Sequence, residues 1–138
     1  MATKAVVHVY AENVHAGSVR VHSDGYVIKG VGERLLGMLQ DIVDPTGIAD
    51  DEAGDFICRL LESTAGLQYN AWKRTTVDDY GDYTYRIDFH DGWGDVSRGP
   101  AKANEAEPRL TVGYPAGVYT QPLRSFDLKH FVRGENRY

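Results

Sequence analysis

Tyr83-Thr84-Tyr85-Arg86-Ile87-Asp88-Phe89-His90 is the segment on which the fold turns. Tyr83, Tyr85, Ile87 and Phe89 alternate with Thr84, Arg86, Asp88 and His90. A period of two sends the first set to one face of a strand and the second set to the other. One face is therefore packed and one is polar, as in a sheet covered on a single side.

Outward from this strand, the same reading finds others. Ala5–Tyr10 is a strand with apolar residues on both faces, and Ser18–His22 alternates Val19 and Val21 with Ser18, Arg20 and His22. A polar connection, Glu12 to Gly17, makes the two a hairpin with a longer loop. Asp24-Gly25 ends the second strand in a turn, with Gly25 supplying positive φ. Helical spacing of Leu35, Leu36, Leu39, Ile42 and Val43 predicts a helix over 32–43, stopped by Asp44-Pro45-Thr46-Gly47. Ala53, Phe56, Ile57, Leu60 and Leu61 predict a second over 51–65, with Asp50 as N-cap and Gly66 just past its end. Residues 70–77 read as a strand and 78–82 as a hairpin loop; Leu110, Val112 and Tyr114 mark a further strand. The loop 91–108 is long enough to suggest a role, and 119–138 reads as a docked aromatic tail or an oligomer contact. Strands clustered around one helical pair predict a single α+β domain over 1–138, an antiparallel sheet of about five strands with two helices on one face.

Composition narrows the function classes. The chain has 138 residues, 25% of them charged, and a formal net charge of −5. That balance makes a nucleic-acid partner an unlikely expectation, since Lys and Arg drive phosphate binding, though it leaves room for a local basic site. The single cysteine, Cys58, excludes an intrachain disulfide and is expected to be a small core residue. With no apolar leader and no run of ~20 apolar residues, the expectation is a cytoplasmic protein with no membrane partner. Exposed strand edges and the aromatic tail suggest a homo-oligomer.

The strongest candidate site starts at the second strand and runs into the first helix: Arg20, His22, Asp24, Tyr26, Lys29, Gly30, Gly32 and Arg34. Amides at a helix start are unpaired and attract anions, and glycines let a ligand approach the backbone. His90-Asp91-Gly92-Trp93 echoes His22-Ser23-Asp24-Gly25-Tyr26, so Arg86, His90 and Trp93 join the candidates. Arginines can fork onto phosphate, and Tyr26 and Trp93 can stack on a base. The equally simple reading is a solvated sheet face with glycines serving as caps. His8, His15, His22, His90 and His130 show no metal spacing, so no metal and no cofactor is expected. A hydrolase would use His22 or His90 as base with Asp88 or Asp24 orienting it, but the sequence carries no complete catalytic set. Asp41, Asp44, Asp50, Asp51, Glu52 and Asp55 form an acidic run around the helices, which would suit a protein–protein or inhibitor module.

Val19-Arg20-Val21-His22-Ser23-Asp24-Gly25-Tyr26, the following Gly30-Val31-Gly32-Glu33-Arg34-Leu35-Leu36, and Tyr83-Thr84-Tyr85-Arg86-Ile87 together resemble a group of small uncharacterised phage and prokaryotic proteins. Their shared pattern is a strand, His-x-Asp-Gly-Tyr, then a helix. The resemblance implies a phage or mobile-element accessory protein, in the host cytoplasm if phage-encoded, and implies no established activity. With the candidate residues, it leads to the expectation of a non-enzymatic protein binding a small anionic, nucleotide-like ligand, such as a host defence signal that it sequesters.

Overall fold

A computed structural model describes residues 3–11, 14–43, 53–64, 71–76, 81–89 and 108–134. The fold is α+β. Its six-stranded mixed sheet has the order β3-β2-β1-β4-β5-β6. The strands are β1 (Ala5–Ala11), β2 (Val14–Val21), β3 (Lys73–Arg74), β4 (Tyr83–Phe89), β5 (Arg109–Tyr114) and β6 (Gly117–Pro122). Helices α1 (Val31–Ile42) and α2 (Ala53–Ser63) lie between β2 and β3 in the chain, and a short α3 (Lys129–Gly134) follows β6.

The expected antiparallel five-stranded sheet is corrected in two ways. First, β1 and β4 run parallel, with Ala5 opposite Tyr83 and Ala11 opposite Phe89. The β1–β2 hairpin leaves one edge of β1 open. Parallel strands need a long crossover, and the segment carrying α1 and α2 supplies it. Second, Gly117–Pro122 is a strand, β6, paired antiparallel with β5, rather than the start of a tail. Its residues lack a clean apolar alternation, because it is an edge strand with Val118 73% exposed. The segment 70–77 yields only the two-residue β3 among the described residues.

The register aligns one apolar face across the sheet. Val7 pairs with Val19 and with Tyr85, and Tyr85 with Val112. Ala5, Val9, Val21, Ile87 and Leu110 extend that face, and all are essentially inaccessible to solvent. The stripe Leu35, Leu36, Leu39 and Ile42 of α1 and the stripe Ala53, Phe56, Ile57 and Leu60 of α2 join it in a single core. Gly17 marks where α2 comes closest to β2: a Cβ there would stand 2.7 Å from Ile57 Cδ1. Cys58, expected in the core, is exposed. At 100° per residue it points away from the stripe that buries Ile57 and Leu60.

The hairpin between β1 and β2 is tighter than expected. Pairing continues to Ala11 opposite Val14, with a register shift after Val9 that places Tyr10 opposite His15 and leaves Ala16 as the extra residue of a bulge. At the other edge, Tyr119 stacks on His130 at 4.1 Å and meets Phe126 and Phe131 edge-on at 5.2 Å each. Phe131 is fully buried, so the expected docked segment is an aromatic cluster closing the core beside β5 and β6. No helix among the described residues is long and apolar enough to cross a membrane.

Tyr85 ties the layers together. Its ring is fully buried, and its hydroxyl donates to the Gly25 carbonyl at 2.5 Å. Tyr85→Phe keeps the ring and leaves that buried carbonyl without its donor. We expect a loss of about 1–3 kcal/mol of stability, read as a lower urea midpoint with an unchanged m-value.

Candidate functional site

The segment from His22 to Gly30 carries the chain from the end of β2 onto the start of α1. It is pinned at Gly25, whose N–H donates to the Thr3 carbonyl at 2.8 Å. Positive φ falls on Asp24 (59°) and Lys29 (56°), not on Gly25. Asp tolerates that region better than most residues, whereas a Lys there is uncommon. Gly25 answers a different need. A Cβ at this position would lie 2.9 Å from the Thr3 and Lys4 carbonyl oxygens.

The start of α1 is closed by the chain itself. Val31, Gly32 and Glu33 N–H donate to the carbonyls of Asp24, Tyr26 and Val27 at 2.9, 3.1 and 2.9 Å. The Arg34 N–H then makes the first helical bond, to Gly30. The amides expected to hold an anion are therefore already paired. The two glycines make room for this arrangement. A Cβ on Gly30 would sit 2.5 Å from both the Asp24 and Tyr26 carbonyl oxygens, and one on Gly32 would sit 2.6 Å from Val27 Cα. Both positions meet backbone, which cannot swing aside.

Beside this closed helix start lies a cleft of about 530 Å³. It is lined by Ser23, Asp24, Lys29 and Gly30, by Glu33 and Arg34 from the first turn of α1, and by Trp72. The Arg34 guanidinium carbon stands 5.6 Å from the centroid of the Trp72 ring, within range of a cation–π contact. Trp72 is 4% exposed, and its backbone N–H donates to the buried Thr64 hydroxyl at the end of α2, at 2.7 Å. The cleft therefore joins two cations, two carboxylates and an indole on a framework set by α1 and α2.

Asp24, Lys29, Gly30 and Arg34 of the expected site meet at this cleft. Gly32 is buried beneath Val27, and the Tyr26 ring packs edge-on against Tyr83 at 6.0 Å. His22 is exposed just beyond β2. His90 and Trp93 lie outside the described residues. Arg20 and Arg86 do share a face, but it is the sheet face turned away from the helices. β1 runs between them, with Val6 opposite Arg20 and His8 opposite Arg86.

That second face holds polar groups the sequence reading passed over. The Ser18 hydroxyl lies 2.5 Å from His8 Nδ1 and 2.7 Å from His15 Nε2, and Ser18 is 3% exposed. A hydroxyl carries one proton and two lone pairs, so it can serve both imidazoles at once, the tautomer of each ring setting which partner donates. Arg86 Nε reaches the Asp88 carboxylate oxygens at 3.0 and 3.1 Å, while its guanidinium carbon lies 3.9 Å from the Tyr10 ring centroid. The hydrogen bond it donates to the Asp88 carboxylate holds the Arg86 pKa above its ordinary value, with slight burial opposing it. The alternation of Val6, His8 and Tyr10 was the available signal, but β1 reads as apolar on both sides and hides it. Trp72 was missed because nothing local links it to Arg34.

No group of three or more potential metal-ligating side chains occurs among the described residues. Comparisons with protein-family models, curated proteins and solved structures found no match.

Gly30→Ala tests the closed helix start. It should cost about 1–3 kcal/mol, because the added methyl meets carbonyl oxygens. Gly37→Ala, in the same helix with nothing within 4 Å of its Cβ, should instead add about 0.5–1 kcal/mol. Thermal and urea unfolding of the two variants, side by side, would read the opposite signs.

Proposed function

We propose that the chain binds a small anionic, nucleotide-like ligand in the cleft between the Ser23–Gly30 loop and Trp72, without turning it over. The observation that carries this reading is the convergence of Lys29, Arg34 and Trp72 on one cleft of about 530 Å³. Small-molecule sites typically enclose about 300–1,000 Å³ and combine an apolar or aromatic wall with a few placed polar groups. Side chains rather than helix amides carry the anion, because the amides of Val31, Gly32 and Glu33 are committed to carbonyls. Lys29 and Arg34 supply the charge, and the Arg34 guanidinium is suited to a two-point contact with phosphate or carboxylate. Trp72, almost wholly buried, backs the cleft and holds the Arg34 guanidinium against its ring. Asp24 and Glu33 would accept hydrogen bonds from base N–H or sugar hydroxyl groups. Their negative charge disfavours a bare polyphosphate and favours a ligand with both donors and an anionic end. Sequestration of such a molecule would require tight binding and no chemistry.

Titration calorimetry with mono-, di- and cyclic nucleotides tests the proposal. One class should saturate at a single ligand per chain, and Lys29→Ala and Arg34→Ala should each weaken it by about tenfold or more, the usual cost of a lost charge-assisted hydrogen bond. No heat with any nucleotide would remove the reading. Binding that ignores both substitutions would move it out of the cleft.

A further inference from the structure

The sheet face opposite the helices has a charge balance unlike the chain as a whole. The whole sequence carries −5. Side chains directly opposite in a pair share a face, so register assigns the charged residues of this one. Lys73 lies opposite Arg20, Arg20 opposite Val6, His8 opposite Arg86, and Asp88 opposite Arg109. Arg20, Lys73, Arg86 and Arg109 thus stand here against a single carboxylate, Asp88, among the described strand residues.

The cations are distributed along a diagonal. Lys73 and Arg20 occupy one corner on β3 and β2, Arg86 the centre on β4, and Arg109 the opposite side on β5. Neighbouring strands lie about 4.8 Å apart, so the stripe crosses four inter-strand gaps, or about 19 Å. Arg20, Lys73 and Arg109 are exposed, and Arg86 is 40% exposed. At the centre of the stripe an aromatic group is already assembled: Arg86 sits over Tyr10, and His15 lies 5.3 Å from the same ring. A cationic track with a ring and guanidinium at its middle is the arrangement that holds a single nucleic-acid strand, with phosphates on the Lys and Arg residues and bases on the π surfaces. An acidic peptide would use the same charges but has no need of the stacked group.

We propose that this sheet face, on which the Arg20, Lys73 and Arg109 side chains are exposed, binds single-stranded nucleic acid. It is independent of the cleft, which lies on the helix side of the sheet.

The probe is a fluorescein-labelled oligodeoxythymidylate of about 16 nucleotides, the upper site size for sheet-based single-strand binders. Anisotropy at low salt should show saturable binding that weakens steeply as salt is raised. Arg20→Glu and Arg109→Glu, both surface changes, should each lower affinity at least tenfold and reduce the log–log salt slope by about 0.7 or more, as expected for one phosphate contact on a single strand. Tyr10→Leu should lower affinity about tenfold, while Tyr10→Phe should retain it; circular dichroism melts establish that each variant is folded. Absence of binding at low salt overturns the proposal, as does binding indifferent to Arg20→Glu and Arg109→Glu. Equal affinity for polyglutamate, unchanged by Tyr10→Leu, overturns it in favour of an acidic protein partner. Equal affinity for duplex DNA overturns the single-strand preference.

Discussion

The parallel alignment of β1 with β4 is the constraint on which the rest of the structure depends. β1 is inserted between its hairpin partner β2 and a strand arriving some seventy residues later, so both of its edges are satisfied within the sheet. Once Val7 faces Tyr85 and Val19, the side of every other strand follows from the period of two. A slip of one residue would turn Tyr85 and Ile87 out of the core and bring Arg86 and Asp88 into it. The register is held by that penalty and by the Tyr85 hydroxyl, which reaches across to the loop before α1.

The same loop explains why a glycine-bearing helix start does not serve as an anion hole. An exposed N-terminus attracts anions because its first amides lack partners. Here the chain doubles back so closely that its own carbonyls take those amides. Glycines at 30 and 32 are the condition for that close return, since any side chain would strike backbone. What remains for a ligand is the side-chain chemistry beside it. Lys29 holds an uncommon left-handed conformation at the point where the loop turns into the helix, and its position on the cleft wall follows from that turn.

The sheet then separates two chemistries. On the helix side, a cleft mixes cations, carboxylates and an indole in roughly equal charge. On the other side, cations predominate around a Tyr–Arg pair and a serine held between two histidines. A net charge of −5 describes neither surface. Electrostatic attraction is governed by local fields over about a Debye length, ~8–10 Å in physiological salt, so an acidic chain can carry a basic face.

Local pattern made much of this architecture legible. The alternation from Tyr83 to Phe89, the Leu35–Leu39–Ile42 stripe and the Phe56–Ile57–Leu60 stripe are properties of consecutive residues, and each carries its burial with it. Asp24, Lys29, Gly30 and Arg34 were likewise found together because a short loop keeps them together. The direction of β4, the strand character of Gly117–Pro122, the exposure of Cys58 and the meeting of Arg34 with Trp72 were settled only by folding. So was the division of the arginines, with Arg20 and Arg86 on one side of the sheet and Arg34 on the other. Periodicity ranks the faces of one element at a time. Which elements become neighbours depends on edges, crossovers and close backbone approaches between residues far apart in the chain, and no local spacing encodes those.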